Sequence, residues 1–118
     1  MTVSRIESIM PEMPVRNLSA AVDFYTGVLG FRLEHLHGEE YAVMRREASR
    51  LGLLRAVPPV AAGTGRVYVF VTGIDGYYAS ISAAGAKITE TLDRRPYGLK
   101  DFAMTDPEGN RLAFGEYY

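Results

Sequence analysis

The chain has 118 residues, 47% of them hydrophobic, with 13 basic against 14 acidic residues and a formal net charge of -1. A folded chain of 13.0 kDa exposes about 6,300 Å² and buries about two-thirds of its unfolded surface, enough for one core, so residues 1–118 are expected to form a single domain. The absence of cysteine excludes disulfides and thiolate chemistry; the even charge excludes the concentrated basic face that nucleic acid or an anionic membrane requires, and no apolar run is long enough for a span. Residues 1–16 carry no basic stretch followed by an apolar run, so no signal peptide and a cytoplasmic location are expected.

Taken in chain order, residues 9–15 read as a strand whose Pro11 and Pro14 suit a sheet edge. Leu18, Ala21, Val22, Tyr25, Val28 and Leu29 recur at helical spacing, with Asn17 or Ser19 as the cap and Gly30 as the left-handed stop. Strands follow at residues 31–37, 40–45 and 50–55. The same order returns after a linker rich in Pro, Ala and Gly. A strand at 66–71 leads to a helix marked by Ile74, Tyr77, Tyr78 and Ile81 and ended by Gly85, then strands at 86–91, 100–105 and 111–116. The last two are joined by Asp106-Pro107-Glu108-Gly109-Asn110, in which Pro presets one dihedral and Gly supplies a positive one. The chain thus reads as βαβββ twice, an α+β architecture with repeat one at about 7–56, a linker at about 57–65 and repeat two at about 66–118.

This repeat, the phrase Val15-Arg16-Asn17-Leu18 with Phe24-Tyr25 and Leu29-Gly30-Phe31, and the Asp106–Asn110 turn resemble the vicinal-oxygen-chelate superfamily of glyoxalases, extradiol dioxygenases and bleomycin-resistance proteins. The resemblance implies two curled mixed sheets, with helices on the convex face and a ligand cavity on the concave one. Strand alternation then sorts side chains between the faces. In the fifth strand Val67, Val69 and Val71 suit the helix side, which turns Arg66, Tyr68 and Phe70 to the cavity. The same parity places Met10, Glu12 and Pro14, then Gly52 and Leu54, then Ala113 and Gly115, on the concave side. An Arg there must meet a carboxylate, solvent or an open pocket, because an unpaired buried guanidinium costs several kcal/mol.

Metal-dependent members place one His or Glu ligand on each of four strands, and the matching positions here are Met10, Gly52, Arg66 and Ala113. A thioether, two side chains without donors and a cation do not hold a divalent ion, so no metal and no cofactor are expected. His35 and His37 lie two apart near a charged turn and read as an exposed strand end. The segment from Pro96 to Phe102 resembles the Pro-Trp-Gly segment of bleomycin-resistance proteins, with Tyr97 in the stacking position. The resemblance therefore implies a metal-free protein that sequesters an aromatic or drug-like ligand in a cavity at a homodimer interface. Its lining would come from Met10, Glu12, Leu54, Arg66, Tyr68, Phe70, Tyr97, Phe102 and Ala113. The alternative is a metal-independent lyase or isomerase using Arg66 with a carboxylate or a tyrosine. Asp93-Arg94-Arg95 reads as a solvated loop.

Overall fold

The computed structural model describes residues 3–118, so the first two residues of the expected 1–118 unit lie outside the described residues. The elements run β1 (Glu12–Val15), α1 (Leu18–Gly27), β2 (Arg32–His37), β3 (Tyr41–Arg46), β4 (Ser49–Arg55), β5 (Arg66–Phe70), α2 (Ile74–Ala83), β6 (Lys87–Arg94), β7 (Leu99–Thr105) and β8 (Arg111–Tyr117). They form two four-stranded sheets, ordered β1-β4-β3-β2 and β5-β8-β7-β6. The first strand of each repeat lies parallel to the last, β1 on β4 and β5 on β8, while the other pairs are antiparallel. A parallel pair needs a crossover, and each helix sits in the connection that leaves the first strand. The α+β fold with βαβββ twice is therefore the observed one.

Local chemistry explains the boundaries. Asn17 caps α1 by accepting the Ala20 N–H at 3.0 Å. Gly30, at φ +79°, lets the chain turn so that the Phe31 N–H reaches the Tyr25 carbonyl at 2.9 Å. α2 begins at Gly73, which has no side chain to cap with. The carboxylate of Glu116 on β8 takes that role, accepting from the Gly73 and Ile74 N–H groups at 3.1 Å each. The first strand is shorter than the sequence pattern suggests: it starts at Glu12, and Met10 precedes it. Pro11 has no N–H to extend the ladder, although its carbonyl still accepts from Gly52.

Alternation buries one face of each sheet against its helix. Met13, Val15, Met44, Leu51 and Leu53 pack with Leu18, Ala21 and Tyr25 of α1, while Phe102, Met104, Leu112 and Phe114 pack with Ile74 and Ile81 of α2. The valines of β5 lie half-buried against the same cluster, on the helix side as expected. The Asp106–Asn110 turn joins the repeats. Asp106 accepts the Tyr25 hydroxyl at 2.8 Å, Asn110 donates to the Pro14 carbonyl at 3.0 Å, and Glu108 accepts from Arg16 and from the Asn17 N–H. At the other end Tyr77 of α2 donates to the Leu29 carbonyl at 2.8 Å and lies under the Arg46 guanidinium. These contacts use helices, turns, the backbone of β1 and the Arg46 end of β3, and none of them involves Glu12, Tyr41, Tyr68 or Phe70 of the concave faces. Among the described residues no helix is long and apolar enough to cross a membrane.

Candidate functional site

The concave face of the second sheet is organised in rows set by strand register. Arg66 stands opposite Arg111, Tyr68 opposite Ala113, and Phe70 opposite Gly115, which in turn faces Asp101 on β7. Tyr68 leans across Gly115, where an added Cβ would strike its phenol oxygen, and donates to Asp101 at 2.8 Å. Tyr97, from the turn between β6 and β7, donates to the same carboxylate at 2.6 Å, and Arg95 Nε donates at 2.7 Å. Asp101 is 4% exposed. Burial pushes its carboxyl up, but the hydrogen bonds from Tyr97, Arg95 and Tyr68 outweigh that and hold it below the ordinary value. The same carboxylate, after burial, raises the Tyr68 phenol.

Around this anchored carboxylate lies an aromatic platform open to solvent. Phe70 is 60% and Tyr97 62% exposed, and Tyr117 continues the surface. Phe70 lies 5.2 Å from Tyr68, ring centre to ring centre, and stacks on Tyr117 at 5.6 Å with planes 12° apart. Contiguous exposed aromatic rings of this size make the face the candidate binding surface. Beside Phe70 and Tyr117 opens a crevice of about 680 Å³ between the repeats, bounded also by Phe31, Arg46, Tyr77 and Phe114. That volume lies within the range of small-molecule sites.

Of the residues named from sequence, Arg66, Tyr68, Phe70 and Tyr97 meet on or beside this face. Ala113 is on it by register but only 2% exposed, a covered floor opposite Tyr68 rather than a contact surface. Phe102 is corrected: it is 1% exposed on the helix side, against Tyr78 of α2 and stacked on Phe114. Since Asp101 faces the cavity, its neighbour in the strand must face away. Glu12 and Leu54 lie on the concave face of the first sheet, where Tyr41 donates to Glu12 at 2.6 Å across Gly52 and burial with that bond pushes the Tyr41 phenol up to about 12. Met10 precedes β1 and belongs to no strand. Within one chain no hydrogen bond or ring contact among the described residues joins these two concave groups.

Arg95 is the second correction. Asp93 and Arg94 belong to β6 and Arg95 is clamped on Asp101, so the three do not form a solvated loop. Asp101, Arg95, Tyr41 and Tyr117 are not among the residues expected to line the cavity, although Tyr117 continues the Ala113, Gly115 alternation by one step. Met10, Gly52, Arg66 and Ala113, the positions matched to metal ligands, offer neither imidazole nor carboxylate, so the donor set does not fit a divalent ion. His35 and His37 are exposed on β2 with ring centres 4.2 Å apart, and among the described residues no three His, Asp or Glu groups gather.

The sequence matches the profile of the Glyoxalase/Bleomycin resistance protein/Dioxygenase superfamily over residues 5–114. No curated protein matches the chain. Among solved structures, the fold is similar to TioX from Micromonospora sp. ML1, with 27% identity and a TM-score of 0.80 over 93% of this chain and 98% of that one. It is similar to the bleomycin-binding protein from bleomycin-producing Streptomyces verticillus complexed with copper(II)-bleomycin, with 23% identity and a TM-score of 0.81 over 95% and 97%. It is also similar to TnmS3, an antibiotic binding protein from Streptomyces sp. CB03234, with 21% identity and a TM-score of 0.83 over 100% and 99%. The βαβββ repeat, the open concave faces and a match over nearly the whole length agree, and the chain belongs to the glyoxalase/bleomycin resistance protein/dioxygenase superfamily.

Proposed function

We propose that the protein is a metal-independent binding protein that sequesters an aromatic small molecule in a cavity completed by pairing of two copies. The observation that carries this reading is the exposed platform of Tyr68, Phe70, Tyr97 and Tyr117, whose Tyr68 and Tyr97 are anchored on one buried carboxylate. Offset stacking on such rings is worth about 0.5–1.5 kcal/mol per pair beyond burial. The open concave face of the first sheet, with Glu12, Tyr41 and Leu54, is the natural cover for it. Because no hydrogen bond or ring contact among the described residues of one chain joins the two concave groups, the reading takes that cover from a second chain. Similarity to an antibiotic binding protein and to a bleomycin-binding protein supports the same reading.

The reading as an enzyme is weaker for a physical reason. Acid–base work near neutral pH needs a group that titrates there, yet Asp101 is held low and Tyr68 and Tyr97 are raised. The chain has eight Tyr and no Trp, and three of the eight lie on the platform, so tyrosine emission is partly quenched when a ligand covers it. Titration with planar aromatic antibiotics and metabolites is expected to quench it at one ligand per chain, with the ligand recovered unchanged by mass spectrometry. Absence of binding by any planar aromatic at about 100 μM, a Kd equivalent to roughly 5.5 kcal/mol, contradicts the reading.

A further inference from the structure

We infer that the ligand is an aromatic anion, its rings across Tyr68 and Phe70 and its carboxylate, sulfonate or phosphate on Arg66. The inference rests on the binding function proposed above and goes further by fixing the charge of what is bound. Arg66, Tyr68 and Phe70 alternate on one face of β5. Tyr68 is two residues from Arg66, about 6.6 Å, and Phe70 four, about 13 Å, so a ring lying across Tyr68 toward Phe70 has its near edge beside Arg66.

The charge on the two concave faces points the same way. Three of the carboxylates there are ion-paired within the chain: Asp101 with Arg95, Glu90 with Arg111 at 3.4 Å, and Glu34 with Arg45 and Arg50. Glu12 accepts from the neutral Tyr41 phenol and keeps its charge, but it lies on the other sheet. Arg66 makes no ion pair and no side-chain hydrogen bond among the described residues. Its row continues through Arg111 and Thr105 to Lys87, which also has no ion pair among the described residues. Asp93, the acid nearest the opposite end, stands across from Asp101. The face is therefore basic in the row where β5 begins, and its one acid without an ion pair among the described residues, Asp93, lies two rows away in the row of Phe70. A guanidinium at the edge of an apolar platform binds an anion with two directed N–H groups at once, which neither a neutral nor a cationic ligand can use.

A matched pair of fluorescent probes tests this: 8-anilino-1-naphthalenesulfonate and N-phenyl-1-naphthylamine, which share their rings and differ in the sulfonate. A hydrogen-bonded charge is expected to make the sulfonate bind about tenfold or more tightly to the natural chain. Arg66→Ala is expected to remove that advantage while leaving the neutral probe within about twofold, and Phe70→Ala to weaken both. Retained binding of the neutral probe also shows that the variant is folded. If Arg66→Ala loses both probes, Arg66→Gln, which keeps most of the stem, is measured in its place under the same criteria. An unchanged ratio of the two affinities in the variant, or a neutral probe that binds the natural chain as well as the sulfonate, overturns the aromatic-anion inference and leaves the binding function standing. Failure of both probes to bind the natural chain overturns the binding function with it.

Discussion

Tyr41 and Tyr68 each reach over a bare glycine to a carboxylate, and the two partners exchange places between the repeats. Glu12 stands opposite Gly52 as Tyr68 stands opposite Ala113, and Tyr41 stands opposite Leu54 as Asp101 stands opposite Gly115. The acid–tyrosine pair of one sheet is thus the tyrosine–acid pair of the other, and in each the glycine lies under the phenol oxygen. Gly52→Ala and Gly115→Ala are expected to keep the fold, because the far end of a tyrosine can swing aside, but to lose about 1 kcal/mol of stability in denaturant unfolding as the bond to the carboxylate breaks. An unchanged midpoint in both variants contradicts the bridging role. Asp101 gives a pH test at the same scale. Its folded pKa lies below the ordinary 3.8, so its contribution is fully present above the unfolded value and is lost as pH falls through the folded one. Melting temperatures measured from about pH 5 down to about pH 2 should therefore fall further for the natural chain than for Asp101→Asn; parallel curves contradict the assignment.

Turns and capping groups, rather than strand-to-strand contact, hold the two repeats together. Asp106 is 3% exposed and accepts the hydroxyl of Tyr25, itself wholly buried, while its other oxygen accepts the N–H groups of Glu108 and Asn110. Asp106→Ala strands several buried donors at once and is expected to cost about 3–5 kcal/mol in urea unfolding, against about 1 kcal/mol for Tyr25→Phe, which removes one bond and leaves the carboxylate its other partners. Equal small losses in both variants contradict the latch. Elements were the most legible part of the sequence: the helical spacing from Leu18 to Leu29, the turn at Asp106–Asn110 and the Arg66-to-Val71 alternation all follow from local periodicity and are found as expected. Register across the sheet was less legible. Phe102 was assigned to the cavity because it ends an aromatic segment, yet β7 alternates Asp101 and Ala103 against Phe102 and Met104, and the larger apolar pair belongs under α2. The clamp of Arg95 on Asp101 joins residues six apart on either side of a turn, and nothing in local spacing announces it.

As a whole the chain is open. Its surface is 7371 Å², against the roughly 6,300 Å² usual for its mass, and its radius of gyration is 15.1 Å, against about 13.5 Å for a compact chain of this length. Residues 3–11, which belong to no strand or helix and are mostly exposed, and the exposed rings of Phe70, Tyr97 and Tyr117 contribute to the excess. Pairing two chains so that the first sheet of each covers the second sheet of the other buries both faces and gives two equivalent cavities. Light scattering at micromolar concentration is then expected to report twice the 13.0 kDa of one chain; a single-chain particle contradicts it. The most direct test is complementation between two damaged chains. One carries Phe70→Ala with Arg66→Ala on the second sheet, the other Leu54→Arg on the first, and each alone is expected to lose binding of 8-anilino-1-naphthalenesulfonate while remaining dimeric. Mixed in equal amounts and allowed to exchange, they should regain about a quarter of the natural number of sites, one intact cavity in each mixed pair. No recovery from a mixture shown to contain mixed dimers, or undiminished binding by the first-sheet variant alone, contradicts a cavity built from both chains.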